Sequence, residues 1–356
     1  MSITISSEKL RWLVTGLFEL NGCAADIAQD IAEHMIEAEQ NGYASHGVAL
    51  LPKYLDSIAK GEVKPNARAD ITASTHGLLQ INGQGGFGQH IAKTATKAAI
   101  NKAKQDGYCI LTLSHCHHLG RLGHYGQLAA DNGLCMLSFS NVTGRSPTVA
   151  PWGGAEARLT TNPFCFTWPV PGGKPAVLVD FATSSMALNK ARMLAEQGEY
   201  VAAGQLIDAS GCPTNDPGVL FTTPAGALLP FGQHKGFGLA LMIELMAGIL
   251  SGGETIAEDQ AESGSPHNNF FALLLSPEHF CDQSSQKCAY FMEYLLATQP
   301  QSGNSEVVYP GMPEAASRQR NQSLTLSSSF WQWLTMTYTA KGISLDVRHQ
   351  TADLIC

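Results

Sequence analysis

The apolar residues of this chain keep a helical period at first and change it near residue 70. Leu10, Leu13, Val14, Leu17 and Phe18 recur at three- and four-residue spacings, the repeat that lines one face of a helix. Asn21-Gly22 ends that run, Ile27, Ile31, Met35 and Ala38 line a second helix, and Gly42 closes it. Pro52 suits the first turn of another short helix, where its missing N–H is no loss. Beyond that point, 78–81 and 108–113 predict strands on either side of an alanine-rich helix, 90–106, stopped by Gly107. A helix near 125–132 and strands at 134–140, 163–168, 176–181 and 269–275 follow. Residues 141–162, with Gly144, Pro147, Pro151, Gly153 and Gly154, predict a long loop of the kind that often carries function. Thr183 or Ser184 is the expected cap of a helix running to Gln197. The stretch 236–251, GFGLALMIELMAGILS, is apolar nearly all round and predicts a core helix, and 283–296 predicts another helix. Residues 297–325 read as polar irregular chain and the last thirty as weakly helical. Strands and helices intermix without strict alternation, so the expected fold class is α/β with a mixed sheet, not a doubly wound one, and with the helical ends packed together as a cap.

Composition narrows the class. The chain has 356 residues, 44% of them apolar and 15% charged, enough to bury a sizeable core without disulfides or metal. A formal net charge of -8 with no basic block argues against nucleic acid or an anionic membrane as partner. The nine cysteines include no C-x-x-C pair, and Cys109, Cys135 and Cys165 sit in apolar runs, as reduced buried thiols do. MSITISSEKLRWLV lacks the features of a signal peptide, and no run approaches the ~18 apolar residues of a membrane span. The expectation is a cytoplasmic protein.

Gly83-Gln-Gly85-Gly-Phe-Gly88 spells G-x-G-x-x-G between a predicted strand and a predicted helix. A Rossmann loop also needs an acidic residue at the end of the next strand to hold the ribose. That strand ends in Thr-Leu-Ser, and Asp106 lies before it, so the stretch reads as a glycine-rich turn into a helix.

Other segments offer chemistry. SHCHHLGRLGHYG, 114–126, holds His115, Cys116, His117, His118 and His124, but the spacing supplies no zinc site on its own, and no metal is expected. As a strand-to-helix loop, its Gly120 and Gly123 admit an anion to backbone N–H groups, and Arg121 adds a planar charged fork. Turn hydrogen bonds alone would also explain these histidines. Ser45-His46 follows a helix and reads either as a cap or as a general acid with an orienting hydroxyl, since histidine titrates near 6.5. Asp180 ends an apolar strand, where a carboxylate either accepts from ribose hydroxyls or caps the next helix. Lys235 opposes the dipole at the start of the apolar helix, which makes sense if an anion sits between them. No G-x-S-x-G elbow is present.

Taken in order, SHGV at 45–48, the histidine-rich LGRLG segment at 117–126, TNPF at 161–164, VDFATS at 179–184, GCPTNDP at 211–217 and HKGFGLALMIELMAGILSGG at 234–253 resemble the non-Rossmann malate/L-lactate dehydrogenase family. The resemblance runs from about residue 8 to 316, and LGRLG, NPFC and HKGF are nearest to its hydroxycarboxylate dehydrogenase B branch. It implies a dimeric NAD(P)H-dependent oxidoreductase of 2-oxo and 2-hydroxy acids, with NADH slightly favoured. The implied division is an N-terminal helical segment with the catalytic SHG (1–70), a central cofactor- and substrate-binding domain (71–309) and a C-terminal segment (310–356). Carried over residue by residue, the cofactor would touch His46, Gly120, Arg121, Leu122, Leu178, Val179, Asp180, Phe181, Ala182, His234, Lys235, Asn268, Gly311, Met312, Pro313 and Glu314. His46 would be the proton donor with Ser45 as partner, His118 the rival acid, and Lys190 stands where the family's cyclic-imine reductases carry aspartate. Many members read S-H-G-x-x-R, whereas this chain has Leu50, which implies an apolar or aromatic substrate side chain rather than a second carboxylate. The alternatives are reduction of a cyclic imino acid and, from another class, a non-catalytic zinc- or cofactor-binding module.

Overall fold

A computed structural model describes residues 2–258 and 266–345. Its first layer is built from β1 (Ile3–Ser6), α1 (Ser7–Leu20), α2 (Ala25–Gln40) and α3 (Leu51–Ala59). The Ser6 hydroxyl caps α1 by accepting from the Lys9 amide. The helical stripe read from the sequence faces inward, with Leu10, Val14, Leu17 and Phe18 all fully buried against Ile27, Ile31 and Met35.

The main sheet uses β2 (Asp70–Thr75), β3 (Leu78–Asn82), β4 (Tyr108–His117), β5 (Cys135–Thr143), β6 (Pro163–Trp168) and β7 (Val177–Ala182). Completed by β11 (His267–Leu275), its order is β2-β3-β4-β11-β5-β6-β7. Only β3 and β4 run parallel, joined across α4 (Gly88–Asp106); the other neighbouring pairs are antiparallel. Alternation along β4 serves both faces: Cys109, Leu111 and Leu113 pack on α4 and α5 (Gly123–Ala130), while Ile110 faces the opposite layer. That layer is α7 (His234–Ile243) and the π-helical turns Glu244–Ile249 that continue it, packed on Phe139, Phe164 and Phe271. A small lobe holds α6 (Leu188–Gln197) and a three-stranded sheet of β8 (Leu206–Ile207), β9 (Pro213–Thr214) and β10 (Ala227–Leu228). The C-terminal part contributes α8 (Pro277–Phe280), α9 (Ser284–Leu296), α10 (Met312–Arg320), β12 (Ser323–Leu326) and α11 (Ser328–Ala340). Strand β12 pairs with β1, and the Tyr338 hydroxyl donates to the Leu13 carbonyl at 2.6 Å, so the two ends of the chain form one cap.

Several expectations need correction. Thr183 and Ser184 do not cap α6: their hydroxyls donate to the carbonyls of Asn162 and Met186, and the helix starts after Ala187. The stretch 236–251 is not a fully buried helix, because Leu241, Leu245, Ile249 and Leu250 are 47–58% exposed along one stripe. Residues 297–325 contain α10 and β12, which polar composition concealed. The expected long loop begins at 144 because β5 runs to Thr143. Residues 346–356 of the terminal segment lie outside the described residues. Among the described residues no helix is long and apolar enough to cross a membrane.

Candidate active site

The glycine motif turns out to be structural. Gly83 and Gly85 donate their amides to the carbonyls of Ser114 and His115, and Gly86 donates to Gly83. A side chain at Gly88 would sit 2.4 Å from the His117 carbonyl oxygen. The first two amides are committed to the end of β4 and the third to the turn itself, leaving that part of the loop unable to cradle a phosphate.

A cavity of about 350 Å³ opens instead where the cap meets the antiparallel half of the sheet. Its walls come from Tyr43, Ser45 and His46 after α2, from residues 118–122 between β4 and α5, from Asp180, Phe181 and Ala182 on β7, and from Lys190 and Asn268. The turn bearing His46 is firmly held. Its amide donates to the Tyr43 carbonyl at 2.9 Å, Asn189 donates to the Ser45 carbonyl at 3.0 Å, and Glu39 accepts the Val48 amide at 2.9 Å. Gly47 is required there, since a Cβ would fall 2.0 Å from Glu39 Oε1.

His46 and His118 stack across the cavity with ring centroids 6.1 Å apart. Ser45 Oγ lies 3.0 Å from His46 Nδ1. Tyr54 Oη lies 2.6 Å from His118 Nδ1 and accepts from Gln89 Nε2 at 2.9 Å. Because Gln89 donates, the Tyr54 proton is left to point at His118 Nδ1, which puts the His118 proton on Nε2. Burial pushes the His118 pKa well below the usual value, and a charge on His46, His117, Lys53 or Arg145 adds to the effect. His46 is also pushed down, by burial first and by Arg121, while Asp180 opposes the shift. A carboxylate therefore favours a proton on His46 and cations disfavour one on His118.

Arg121 is 4% exposed. Its Nε lies 3.2 Å from Asp180 Oδ2, its guanidinium sits 4.5 Å over the Tyr43 ring, and its Nη1 is 3.9 Å from Glu37 Oε1. Nε and Nη2 nevertheless have no hydrogen-bond partner among the described residues. A buried guanidinium with N–H groups left unbonded in a cavity wall suits an anionic or polar ligand group. Asp180 Oδ2 also accepts the Gly123 amide at 2.8 Å, and Asn268 Oδ1 accepts the Leu119 amide at 2.9 Å, so two strands pin the 118–123 loop. Burial would raise Glu37, but His124, Arg318 and Arg121 hold its carboxyl down at about 2.

The structure thus gathers His46, Ser45, His118, Lys190, Gly120, Arg121, Leu122, Asp180, Phe181, Ala182 and Asn268 around one cavity. Leu178 and Val179 precede this wall on β7. Gly311–Glu314 lie behind them: Leu178 donates to the Pro310 carbonyl, and Glu314 accepts both the Gly311 amide and, at 2.6 Å, the Tyr43 hydroxyl. Met312 and Pro313 begin α10 there. His234 and Lys235 open α7 and do not line this cavity; His234 packs instead on Trp152, with ring centroids 5.6 Å apart. The histidine-rich segment is only half loop, since 114–117 belong to β4. His115 approaches Glu254, His124 binds Glu37, and His117 is buried; among the described residues no three metal-ligating side chains converge.

The sequence reading missed His34, Tyr43 and Tyr54. His34 Nε2 accepts the Arg121 amide at 2.8 Å, and a Cβ at Gly120 would press to 2.4 Å from that nitrogen. The signal was present, since a histidine at 34 falls on the apolar stripe of α2 between Ile31 and Ala38.

A family model described as malate/L-lactate dehydrogenase matches residues 5–335. L-lactate dehydrogenase of Cupriavidus necator is 46% identical over 92% of this chain and 95% of its own. Hydroxycarboxylate dehydrogenase B of Escherichia coli O157:H7 is 33% identical over 92% and 91%. A Δ1-pyrroline-2-carboxylate/Δ1-piperideine-2-carboxylate reductase of Pseudomonas putida is 33% identical over 70% and 72%. Among solved structures, an E. coli protein assigned to the malate/lactate dehydrogenases superposes with a TM-score of 0.89 and 30% identity, covering 96% of both chains.

Proposed function

Because the chain belongs to the malate/L-lactate dehydrogenase family, a pyridine-nucleotide-dependent group of 2-oxo/2-hydroxy acid oxidoreductases, we propose that it reduces 2-oxo acids with an uncharged, apolar side chain. The observation that carries this reading is the His46–His118 stack in one cavity with Arg121, whose guanidinium is ion-paired to Asp180 but keeps Nε and Nη2 without a hydrogen bond among the described residues. Bound reduced nicotinamide supplies a hydride to the substrate's carbonyl carbon. His46, oriented by Ser45, then gives its proton to the carbonyl oxygen as charge develops there. His118 stays neutral and donates a hydrogen bond from Nε2 to the same oxygen, and Tyr54 with Gln89 holds its tautomer. Arg121, Asp180 and Asn268 form the cofactor's side of the cleft, backed by the segment around Gly311–Glu314.

Asp180 in the cavity wall favours NADH, because a carboxylate accepts from free ribose hydroxyls and repels a 2′-phosphate. Leu50 is 9% exposed within the cap's core, which fits a substrate without a second carboxylate at that position. Lys190 in the cavity wall, rather than an aspartate, speaks against cyclic imino acids. The exposed stripe Leu241, Leu245 and Ile249 supports a homodimer, and the eight described cysteines, all free, suit a cytoplasmic setting. Following NADH and NADPH absorbance with pyruvate, phenylpyruvate, oxaloacetate and a piperideine carboxylate tests the reading. Oxidation of NADH with pyruvate or phenylpyruvate above oxaloacetate is expected; preference for oxaloacetate or for the imine would overturn it.

A further inference from the structure

One buried acid takes no part in the chemistry above. Glu244 is 5% exposed and opens the π-helical turns that continue α7, a helical form often found at functional sites. Three N–H groups donate to it: Asn162 Nδ2 to Oε1 at 2.9 Å, and Asn141 Nδ2 and the Ile256 amide to Oε2 at 3.1 and 3.3 Å. Both of its oxygens therefore act as acceptors.

Each asparagine governs part of the cavity wall. Asn162 has φ +31°, a left-handed conformation uncommon for a residue with a side chain, and such backbone persists only where its surroundings hold it. The Thr160 hydroxyl donates to Asn162 Oδ1 at 2.6 Å, and Asn162 Nδ2 donates to the Ala240 carbonyl at 3.2 Å as well as to Glu244. The flanking Thr161 and Pro163 line the cavity. The Thr183 amide and hydroxyl both donate to the Thr161 carbonyl, and Pro163 pairs with Ala182 in the β6–β7 ladder that carries Asp180. Asn141, on β5, accepts from Asn268 through its carbonyl at 2.7 Å and from Asn269 through Oδ1 at 3.1 Å. Asn268 in turn lines the cavity and holds the Leu119 amide. The chain beyond the π turns closes tightly on this polar layer, since a Cβ on Gly253 would fall 2.0 Å from Asn269 Oδ1. One carboxylate thus ties together the two strands, β7 and β11, that present Asp180 and Asn268.

Neither asparagine amide can turn over to suit a changed partner. Turning Asn162 would set its oxygen against the Ala240 carbonyl, and turning Asn141 would set its oxygen against the Glu254 carbonyl. A glutamine at 244 would therefore point its own N–H₂ at an N–H donor on one side.

We propose that Glu244 is a positioning residue for the reaction: it holds the 160–163 turn and Asn268 where the cofactor's side of the cleft needs them. This rests on the oxo-acid reading above for the identity of the ligands. The test compares wild type with Glu244→Gln, Asn162→Ala and Asn162→Gly by NADH fluorescence titration (or NADPH, should wild type prefer it), steady-state reduction of pyruvate, and thermal melting. Glu244→Gln should raise the Kd and KM for the nucleotide roughly tenfold, the scale of a buried donor left unpaired, with kcat within about threefold because Ser45 and Tyr54 still hold His46 and His118. Asn162→Gly, which adopts a left-handed φ freely, should weaken the nucleotide less than Asn162→Ala, which loses both the amide and the turn. A purely structural role lowers the melting temperature and the active fraction, and with it the apparent kcat, while Kd and KM stay at wild-type values; that result overturns the proposal. So does wild-type nucleotide affinity in Asn162→Ala, which also decides the matter should Glu244→Gln fail to fold. If wild type binds the nucleotide but reduces no oxo acid, the activity reading fails, and a weakened Kd in Glu244→Gln still upholds Glu244. If wild type binds neither NADH nor NADPH, both fall.

Discussion

Replacing His46 by alanine tests the proton donor directly, and the structure sets what else should change. The backbone of the turn does not depend on the imidazole. It is held by the His46 amide on the Tyr43 carbonyl, by Asn189 on the Ser45 carbonyl and by Glu39 on the Val48 amide, at 2.9, 3.0 and 2.9 Å. The cavity gains room and Ser45 loses its ring partner, while Arg121, Asp180 and Asn268 keep their contacts. Turnover should fall at least ~10²-fold, the lower end for loss of a general acid, equivalent to about 2.7 kcal/mol of barrier. The KM for NADH should move only a few-fold. Reduction needs the protonated imidazole, so in wild type kcat/KM falls as pH rises through the His46 pKa, which burial and Arg121 set below the usual histidine value. That limb should vanish in His46→Ala. Steady-state kinetics from pH 5 to 8.5 measure both effects. Near-normal turnover with the pH limb retained would refute the assignment and transfer the role to His118.

Four further outcomes are expected. Burial pushes Glu39 up to about 6, so its folded-state stabilisation is full below its unfolded pKa of 4.5 and is lost as pH rises through 6. Glu39→Gln keeps an acceptor for Val48 and should stabilise by up to about 2 kcal/mol at pH 8 but scarcely at pH 4.5; equal melting shifts at the two pH values would contradict this. Asp180→Asn should weaken NADH binding at least about tenfold, because Arg121 loses its charged partner. Gly85→Ala, strained at φ +74°, should lower the melting temperature yet leave NADH affinity within about twofold; the reverse pattern in a fluorescence titration would restore the glycine loop as a phosphate site. Leu245→Glu on the exposed stripe should convert a dimer to monomer in light scattering, and a monomeric wild type at micromolar concentration would remove that reading.

Local periodicity made most of the fold legible. The stripes of α1 and α2, the buried runs of β4 and β11 and the glycine stop of α4 each state their own structure. Elements whose stability comes from a distant partner were hidden. β1 and β12 are four residues each and exist as strands through their mutual pairing, and α10 is polar because it lies on α2 through Ser317 and Arg318. The apolar stretch from 236 was read as core because it is apolar nearly all round, and composition does not tell which of its faces the fold leaves exposed. For the site, motifs marked His46, Arg121 and Asp180 and the family resemblance added Asn268, whereas Tyr54 and Gln89 carry no local sign of touching His118, being 64 residues away in one case and one hydrogen bond removed in the other.

The location of the cleft follows from the topology. In a doubly wound sheet the phosphate loop and the ribose acid belong to successive parallel strands. Here the parallel pair β3–β4 uses the amides of Gly83 and Gly85 to bind the end of β4, and the carboxylate that lines the cavity, Asp180, stands on β7, at the far antiparallel edge of the sheet. Asp180 can face the 118–123 loop only because β11 enters between β4 and β5 and brings Asn268 against Leu119. The α2 residues His34 and Glu37 then close the loop from above, one accepting the Arg121 amide and the other binding His124. A helix, two strands and a loop from separate parts of the chain are therefore needed to hold one arginine, which is why the motifs that bear them are scattered instead of forming a single fingerprint.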